Sequence, residues 1–160
     1  MPQQSYVAPF LSLVEGSDDP HDCWQEDGFW PNRVAASLDD VLVWGTLIGL
    51  SYLQNGGMIH YLQFISGRTL PEMELGFEVL GCSESQRVCG EARQRFGNEF
   101  PRNDDIRERF VASDEPFFEA CEGRLLDAME SDRYEELVEK YAKKLCVAHS
   151  VPPWIYPNLP

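Results

Sequence analysis

The sequence of 160 residues is short of positive charge. It contains 13 lysines and arginines against 27 aspartates and glutamates, which gives a formal net charge of −14. A field of this sign repels nucleic acid and anionic membrane surfaces, and it favours basic partners or simply solubility. We therefore expect a basic protein as the partner and no direct binding to nucleic acid or to a membrane.

Long hydrophobic runs and paired cysteines are also lacking. No apolar run reaches the roughly 18 residues that a membrane span requires. The five cysteines are odd in number and widely scattered, they form no C-x-x-C pair, and no secretory signal precedes them. These absences predict reduced thiols in a cytoplasmic protein.

Catalytic motifs are absent as well. The sequence has no G-x-G-x-x-G, no phosphate-binding P-loop, no G-x-S-x-G and no H-E-x-x-H. His60, beside a Gly-Gly turn and near Asn55, could act as a general base. Its position on an amphipathic helix is explained more simply by a local hydrogen bond. We expect a protein that is not an enzyme and that needs no cofactor.

A metal site has little support in the sequence. Zinc sites draw on ligands in recognisable spaced pairs. Here such a site would have to join the two ends of the chain through four residues whose side chains can bind zinc: His21, Cys23, Cys146 and His149. We therefore expect no metal.

Changes in composition divide the chain into three parts. Residues 1–37, rich in proline, glycine and acids, predict an irregular segment packed on the domain, with a weakly signalled helix near Tyr6–Glu15. A flexible arm that meets a partner is the alternative. Residues 38–146 predict the helical domain, and residues 147–160, with four prolines, predict an extended tail. The rings of that tail should pack on the chain's own body or, less simply, on a second copy.

The most apolar stretch runs from Leu38 to Gly67. Apolar residues at i, i+3 and i+4 predict a helix capped by Ser37 or Asp39. Gly45 and Gly49 lie on one face and predict a close approach between two helices. Asn55-Gly56-Gly57 should end this helix, because glycine tolerates the positive φ of a terminal turn. A second short helix should follow.

Helix signals continue to residue 145. Capping boxes at Thr69–Glu72 and Ser83–Gln86, a start at Asp104 or Asp105, a restart at Ser113–Pro116 and a cap at Ser131 or Asp132 mark five more helices. No alternating strand pattern is convincing. The fold class is therefore all-α: a single compact domain of about seven helices, with an irregular N-terminal segment and a proline-rich tail.

Arginines are concentrated in the middle of the chain. We expect them to form ion pairs with Glu91, Glu99, Asp105 and Glu108 rather than to bind phosphate. They are Arg87, Arg93, Arg95, Arg102, Arg107 and Arg109.

Several segments in order carry a family resemblance. Asn55-Gly56-Gly57 is followed by a bulky apolar pair, and the later matching segments are Phe77–Gly81, Ala92–Pro101, Leu125–Met129 and Glu135–Tyr141. Together, over roughly residues 38–146, they resemble the bacterial nineteen-kilodalton DNA-mimic protein domain. The chain departs from the family after the glycines, where Met58, His60, Tyr61 and Leu62 replace aromatic residues and glutamine.

The resemblance implies an all-α, dimeric protein whose acidic surface imitates the phosphates of duplex DNA. Such a protein occupies the DNA-binding face of a helix-turn-helix regulator. An immunity-like or antitoxin-like inhibitor of a basic nuclease would use the same charges, and a small enzyme with a site near Asn55 and His60 is the third alternative. The candidate partner-binding acids are Glu15, Asp18, Asp19, Asp22, Glu26, Asp27, Asp104, Asp105, Asp114 and Glu115.

Overall fold

The structure, a computed structural model, describes residues 3–15, 24–25, 28–29 and 37–156. Helices dominate this part of the chain, so the all-α prediction is confirmed. The elements in chain order are β1 (Gln3–Ser5), α1 (Val7–Glu15), β2 (Trp24–Gln25), β3 (Gly28–Phe29), α2 (Leu38–Gln63), a 3-10 helix (Ile65–Thr69), α3 (Leu70–Leu80), α4 (Ser83–Gln94), α5 (Asp104–Ser113), α6 (Glu115–Ser131), α7 (Tyr134–Ala148) and β4 (Trp154–Tyr156).

Strand β1 and helix α1 of the N-terminal segment lie against α7. Strand β1 pairs antiparallel with β4 of the tail, and β2 pairs with β3 in a second two-stranded ribbon. Glu139 of α7 accepts hydrogen bonds from the Tyr6 amide at 2.7 Å and from Ser5 Oγ at 2.8 Å. Phe10 is fully buried against the edge of Tyr141. The strands are too short for an alternating pattern to reveal them in the sequence.

Helix α2 starts where the sequence predicts. The Ser37 hydroxyl accepts from the Asp40 amide, and the Asp40 carboxylate accepts from the Ser37 amide, which completes a capping box. Asp40 also accepts a hydrogen bond from the Tyr141 hydroxyl at 2.9 Å. The N-terminal cap of α2 therefore also ties this helix to α7.

The prediction that Asn55-Gly56-Gly57 ends one helix and that a second short helix follows is confirmed, because α2 consists of two helical segments that meet at a kink. The backbone leaves helical geometry at Gly57, with φ 80° and ψ 172°, and the second segment ends at Gln63. Such a conformation is accessible almost only to glycine. The Met58 amide, freed by the break, donates to the Glu122 carboxylate of α6 at 3.0 Å.

Helices α2 and α3 approach each other closely at Gly76. A Cβ atom there would lie 1.9 Å from Thr46 Oγ1 and 2.5 Å from the Leu42 carbonyl oxygen. Gly49 of α2 also lies against α3, as predicted, because a Cβ there would lie 2.4 Å from the methyl group of Met73. The close approach of the two helices therefore uses a glycine from each of them.

Several predicted caps are wrong because distant side chains take their place. Thr69 makes no cap, and its hydroxyl lies 3.2 Å from that of Tyr61. The start of α4 is capped by Asp132, whose carboxylate accepts from the Glu84 and Ser85 amides and from Ser85 Oγ. Asp132 therefore serves α4 and not the neighbouring α7.

The starts of α5 and α7 also differ from the prediction. Asn103 caps α5 by accepting from the Ile106 amide at 3.1 Å, one residue before the predicted Asp104. Helix α7 begins after Arg133, which has a positive φ of 57° and makes no side-chain cap. Pro71 and Pro116 lie in the first turns of α3 and α6, and α3 ends at a left-handed Gly81, as predicted.

Most of the arginines form ion pairs, which confirms the prediction that they pair with acids of the chain. Glu91 is a partner as expected, for Arg87 and Arg124. The other predicted partners are wrong: within residues 37–156, the structure shows no ion pair for Glu99, Asp105 or Glu108. The remaining observed pairs within this range are Arg68–Asp104, Arg87–Glu84, Arg93–Glu74, Arg95–Asp114, Arg102–Glu72, Arg107–Asp104 and Arg133–Glu136.

Among the arginines of the described residues, Arg107 is the one that is completely buried. Its guanidinium donates to the Asp104 carboxylate at 2.5 Å and to four backbone carbonyls, those of Leu62, Phe64, Pro101 and Arg102. Two of these carbonyls belong to the end of α2, where no further helical amide is available to them. Arg107 therefore closes α2 and joins it to α5.

Replacing Gly57 by alanine should lower the free energy of unfolding by about 1–3 kcal/mol, because alanine disfavours this backbone conformation. Gly123→Ala is the matched control on an exposed turn of α6, where a Cβ meets nothing within 4 Å. It should raise stability by up to about 1 kcal/mol through helix propensity. Urea unfolding of both variants checks this, and a neutral Gly57→Ala would contradict the described break.

Arg107→Met should cost about 3 kcal/mol or more, because it leaves several buried carbonyls without donors. Arg109→Met is the control, since Arg109 is exposed and donates only to the Asp105 carbonyl of its own helix. That substitution should change stability by no more than about 0.5 kcal/mol. Similar urea midpoints for the two variants would contradict the role given to Arg107.

Candidate acidic interaction surface

Six of the ten predicted acids have no described side chain. Helix α1 ends at Glu15, and nothing is described of that side chain. Five further predicted acids lie outside the described residues: Asp18, Asp19, Asp22, Glu26 and Asp27. Their part in binding stays a prediction from the sequence.

The four other predicted acids lie around the junction of α5 and α6. Asp104 is held by Arg68 at 3.2 Å and by Arg107 at 2.5 Å, and Asp114 is held by Arg95 at 2.6 Å. Asp105 and Glu115 are exposed, and neither forms an ion pair with the described residues. Two of the four charges are therefore compensated within the chain, and two point to solvent uncompensated.

The outer face of α6 carries a row of carboxylates. Glu115, Glu119 and Asp127 share one helical ridge with exposed Gly123, because each position follows the last by four residues. We call Glu115, Glu119 and Asp127 the α6 acidic row. The opposite face of the helix is buried in the core through Phe118, Cys121, Leu125 and Ala128.

The single base of α6 is directed away from this row. Arg124 pairs with Glu91 of α4, which also accepts a hydrogen bond from Arg87 at 2.5 Å. The hydrogen bonds from Arg124 and then Arg87 hold the pKa of the Glu91 carboxyl below its usual range. The positive charge of Arg124 is thus largely satisfied by α4.

Sequence reasoning missed Glu119 and Asp127, although a signal was available. Both lie in the helix predicted after Pro116, and counting in steps of four from Glu115 places them on the same ridge. The prediction included the acids clustered near the N-terminus and left out these two regularly spaced acids later in the chain.

A cavity of about 460 Å³ lies beside the C-terminal end of α6. Its wall is formed by Gln54 of α2, by Leu126, Met129 and Glu130 of α6, and by residues 133–136 at the start of α7. Its volume is typical of a small-ligand site. We call it the Tyr134 cavity, after the one aromatic residue in its lining.

Tyr134 is buried, with 8 % of its surface exposed, and its ring meets the Phe77 ring edge to face. Its hydroxyl has no hydrogen-bond partner among the residues that the structure describes. Burial raises the pKa of this phenol above its usual range, so the group stays neutral. A buried hydroxyl without a partner costs stability.

The Asn55–His60 region has a packing role. The exposed His60 ring contacts the Phe64 ring at a centroid distance of 4.3 Å and an interplanar angle of 41°, and the described residues show this contact in place of the expected local hydrogen bond. A Cβ at Gly56 would lie 2.3 Å from the His60 ring. Neither Asn55 nor His60 lines the cavities found among the described residues.

The possible zinc ligands are not brought together in the described part of the chain. His21 and Cys23 lie outside it, and the described residues contain no group of three or more side chains able to hold a metal. Cys146 is buried, with its thiol 3.8 Å from the Tyr6 carbonyl oxygen. Cys82, Cys89 and Cys121 are likewise buried and free, and burial raises the pKa of the Cys82 thiol to about 11.

Among the described helices, none combines the length and the apolar character that crossing a membrane requires.

Tyr134→Phe should leave stability unchanged or raise it by up to about 1 kcal/mol, because the variant loses a hydroxyl that has no partner. Tyr61→Phe is the control, since its hydroxyl lies within hydrogen-bond distance of Thr69. The control should lower stability by about 1 kcal/mol. Thermal and urea unfolding compare the two, and a clear loss for Tyr134→Phe would show that its hydroxyl is satisfied.

Comparison with known proteins places the helical domain in a family. The model of the DMP19-like protein family matches residues 40–145, which is more than half of the chain. Neither the search of curated proteins nor that of solved structures finds a match. The match covers α2 through most of α7, and it includes the Gly57 break and the α6 acidic row. The chain therefore belongs to the DMP19-like protein family.

Proposed function

We propose that this protein is a non-enzymatic DNA mimic whose α6 acidic row occupies the basic DNA-binding face of a partner protein, such as a transcriptional regulator. Membership of the DMP19-like family is consistent with this role. The observation that carries the proposal is the row itself, an exposed ridge of carboxylates on a helix whose other face is fixed in the core.

The spacing of the row suits this purpose. An α-helix rises about 1.5 Å per residue, so four residues separate successive positions by about 6 Å along the axis. The phosphates of one DNA strand rise about 3.4 Å per step, so two steps span about 6.8 Å. The axial spacing between Glu115 and Glu119 is therefore similar to the spacing between every second phosphate of one DNA strand. Asp127 continues the series two helical turns further on.

The balance of charge supports the same role. Eight arginines of residues 37–156 already have carboxylate partners within the chain. These bases therefore offer little free positive charge to repel a basic partner. The uncompensated acids, among them Asp105, Glu115, Glu119 and Asp127, dominate the field around α5 and α6.

A DNA-binding partner gains much of its affinity when its lysines and arginines neutralise phosphates. Carboxylates at a similar spacing can pair with the same side chains. The strength of this contact should fall steeply with salt, since it depends on surface charges. Burial of the opposite face of α6 fixes the backbone that carries these side chains, so no backbone entropy need be lost at the row on binding.

Neutralising the row tests the proposal. In the variant Glu115→Gln, Glu119→Gln and Asp127→Asn, affinity for a basic protein retained at low salt should fall about tenfold or more. The measurement is a Kd at two or more salt concentrations, and the variant should also show a weaker salt dependence.

The matched control removes three exposed acids outside the row: Asp39→Asn, Glu78→Gln and Glu99→Gln. Its net charge equals that of the row variant, so a purely global effect would weaken binding equally. Equal loss in both variants, or no basic protein retained at low salt, would contradict the proposal. If the basic protein retained at low salt is a nuclease, the target of the α6 acidic row is a toxin and not a regulator.

A further inference from the structure

The tail of the chain presents three neighbouring apolar side chains to solvent. Trp154, Ile155 and Tyr156 form strand β4, and 57 %, 56 % and 45 % of their surfaces are exposed. Side chains alternate between the two faces of a strand, so Trp154 and Tyr156 share one face and Ile155 lies on the other. Neither face of β4 is therefore fully covered by the chain's own body.

Strand β4 also has an open edge. It pairs antiparallel with residues 3–5 of β1, and this is its one partner strand among the described residues. Successive residues of an antiparallel strand direct their backbone N–H and C=O groups to alternate edges. Part of the β4 backbone therefore faces away from β1, and an exposed apolar edge of this kind readily pairs with another strand. We call β1 and β4 together the terminal ribbon.

The terminal ribbon is formed from the parts of the chain that carry no charge. Residues 1–14 and 150–160 contain no charged side chain, although a quarter of all residues are charged. A basic partner therefore gains nothing from charge attraction at the ribbon. A second copy of this chain, itself at −14, is repelled by acidic surface, and a neutral contact adds no like-charge pair to that repulsion. The distribution of charge thus favours an identical chain over a basic protein at this edge.

We propose that the outer edge of β4 pairs with the same edge of a second copy, about a two-fold axis through Ile155. The two ribbons then form one four-stranded antiparallel sheet with the two β4 strands at its centre. Strand β4 lies outside residues 40–145, which the family model matches, so this contact does not come from the matched domain. The contact is also independent of the α6 acidic row and of the proposed function.

The order of the three side chains suits this symmetry. In antiparallel pairing centred on Ile155, that residue lies opposite its own equivalent, and Trp154 lies opposite Tyr156 of the second copy. Residues opposite each other share one face of a sheet. The two symmetry-related Trp–Tyr pairs therefore lie on one face, and the Ile–Ile pair lies on the other. Aromatic pairs are among the cross-strand pairs that stabilise a sheet.

Prolines limit the contact to three residues. Pro152 and Pro153 precede β4 and Pro157 follows it, and proline has no N–H to donate to a neighbouring strand. Three residues a side are far fewer than the roughly 20–30 of a stable interface, so the Kd should lie between roughly 10 µM and 1 mM. Association should stop at two copies, because the pairing uses the open β4 edge of each.

Sedimentation equilibrium of the full chain tests the pairing without any partner protein. The average mass should rise from that of one chain towards that of two between roughly 10 µM and 1 mM. Ile155→Lys places two ammonium groups opposite each other across the axis, and it should weaken association at least about tenfold. Leu75→Lys is the matched control, since it makes the same change of charge at an exposed apolar residue of α3. That variant should leave association within about twofold of the original.

Cysteine substitution tests the register of the pairing. In a background with Cys23→Ser, the described cysteines are all buried, and Ile155→Cys should give a covalent dimer with oxidised glutathione. The two thiols are oxidised to one disulfide, and the oxidised glutathione is reduced to two molecules of glutathione. Tyr156→Cys is the control. Its two copies are offset by two residues, about 7 Å along the strands, so they should link at least about tenfold more slowly.

Three results would overturn the inference: the mass of a single chain throughout this range, a dimer that Ile155→Lys leaves intact, or equal cross-linking of Ile155→Cys and Tyr156→Cys. The cross-linking comparison keeps the test valid if Ile155→Lys does not fold. Failure of self-association leaves capture of a basic protein by the α6 acidic row untouched, because these measurements contain no such protein.

Discussion

The break in α2 at Gly57 is the constraint on which the arrangement of α5 and α6 depends. It leaves a short helical segment, residues 58–63, whose two ends are both held by other helices. At its start, the Met58 amide donates to Glu122 of α6. At its end, Arg107 of α5 donates to the carbonyls of Leu62 and Phe64. One glycine conformation therefore fixes the positions of two helices that carry the candidate surface.

This anchoring explains which side of α6 faces solvent. Glu122 points inward to the α2 break, and the core residues of α6 follow at helical spacing. Glu115, Glu119 and Asp127 must then lie on the outside, since a helix cannot turn one face inward without presenting the other. The acidic row is in this sense a consequence of the internal contact made by the same helix.

The sequence predicted the parts of the fold that depend on neighbours along the chain. Hydrophobic periodicity indicated the helices, and local chemistry indicated the Ser37 cap and the Gly81 end. It failed where a residue far away in sequence makes the contact. Asp132 caps α4 across 47 residues, and Glu122 reaches Met58 across 64 residues. A local rule cannot find such partners, because it compares only residues within one or two turns.

The candidate surface was predictable to a similar extent. Its acidity follows from composition, and the register of Glu115, Glu119 and Asp127 follows from helical spacing. Which carboxylates are compensated does not follow, because the partners of Asp104 and Asp114 come from other elements: Arg68 precedes α3, and Arg95 ends α4. The Tyr134 cavity was also beyond sequence reasoning, since its walls come from three helices.

Under the proposed function, this protein and DNA compete for one basic face of the partner. Competition binding measures it most directly: a labelled basic partner bound to this protein is titrated with duplex DNA at fixed salt, and the ternary and binary complexes are separated by size. Mimicry predicts that DNA displaces the protein completely, with a midpoint that rises in proportion to protein concentration. A stable complex of all three components would contradict the account.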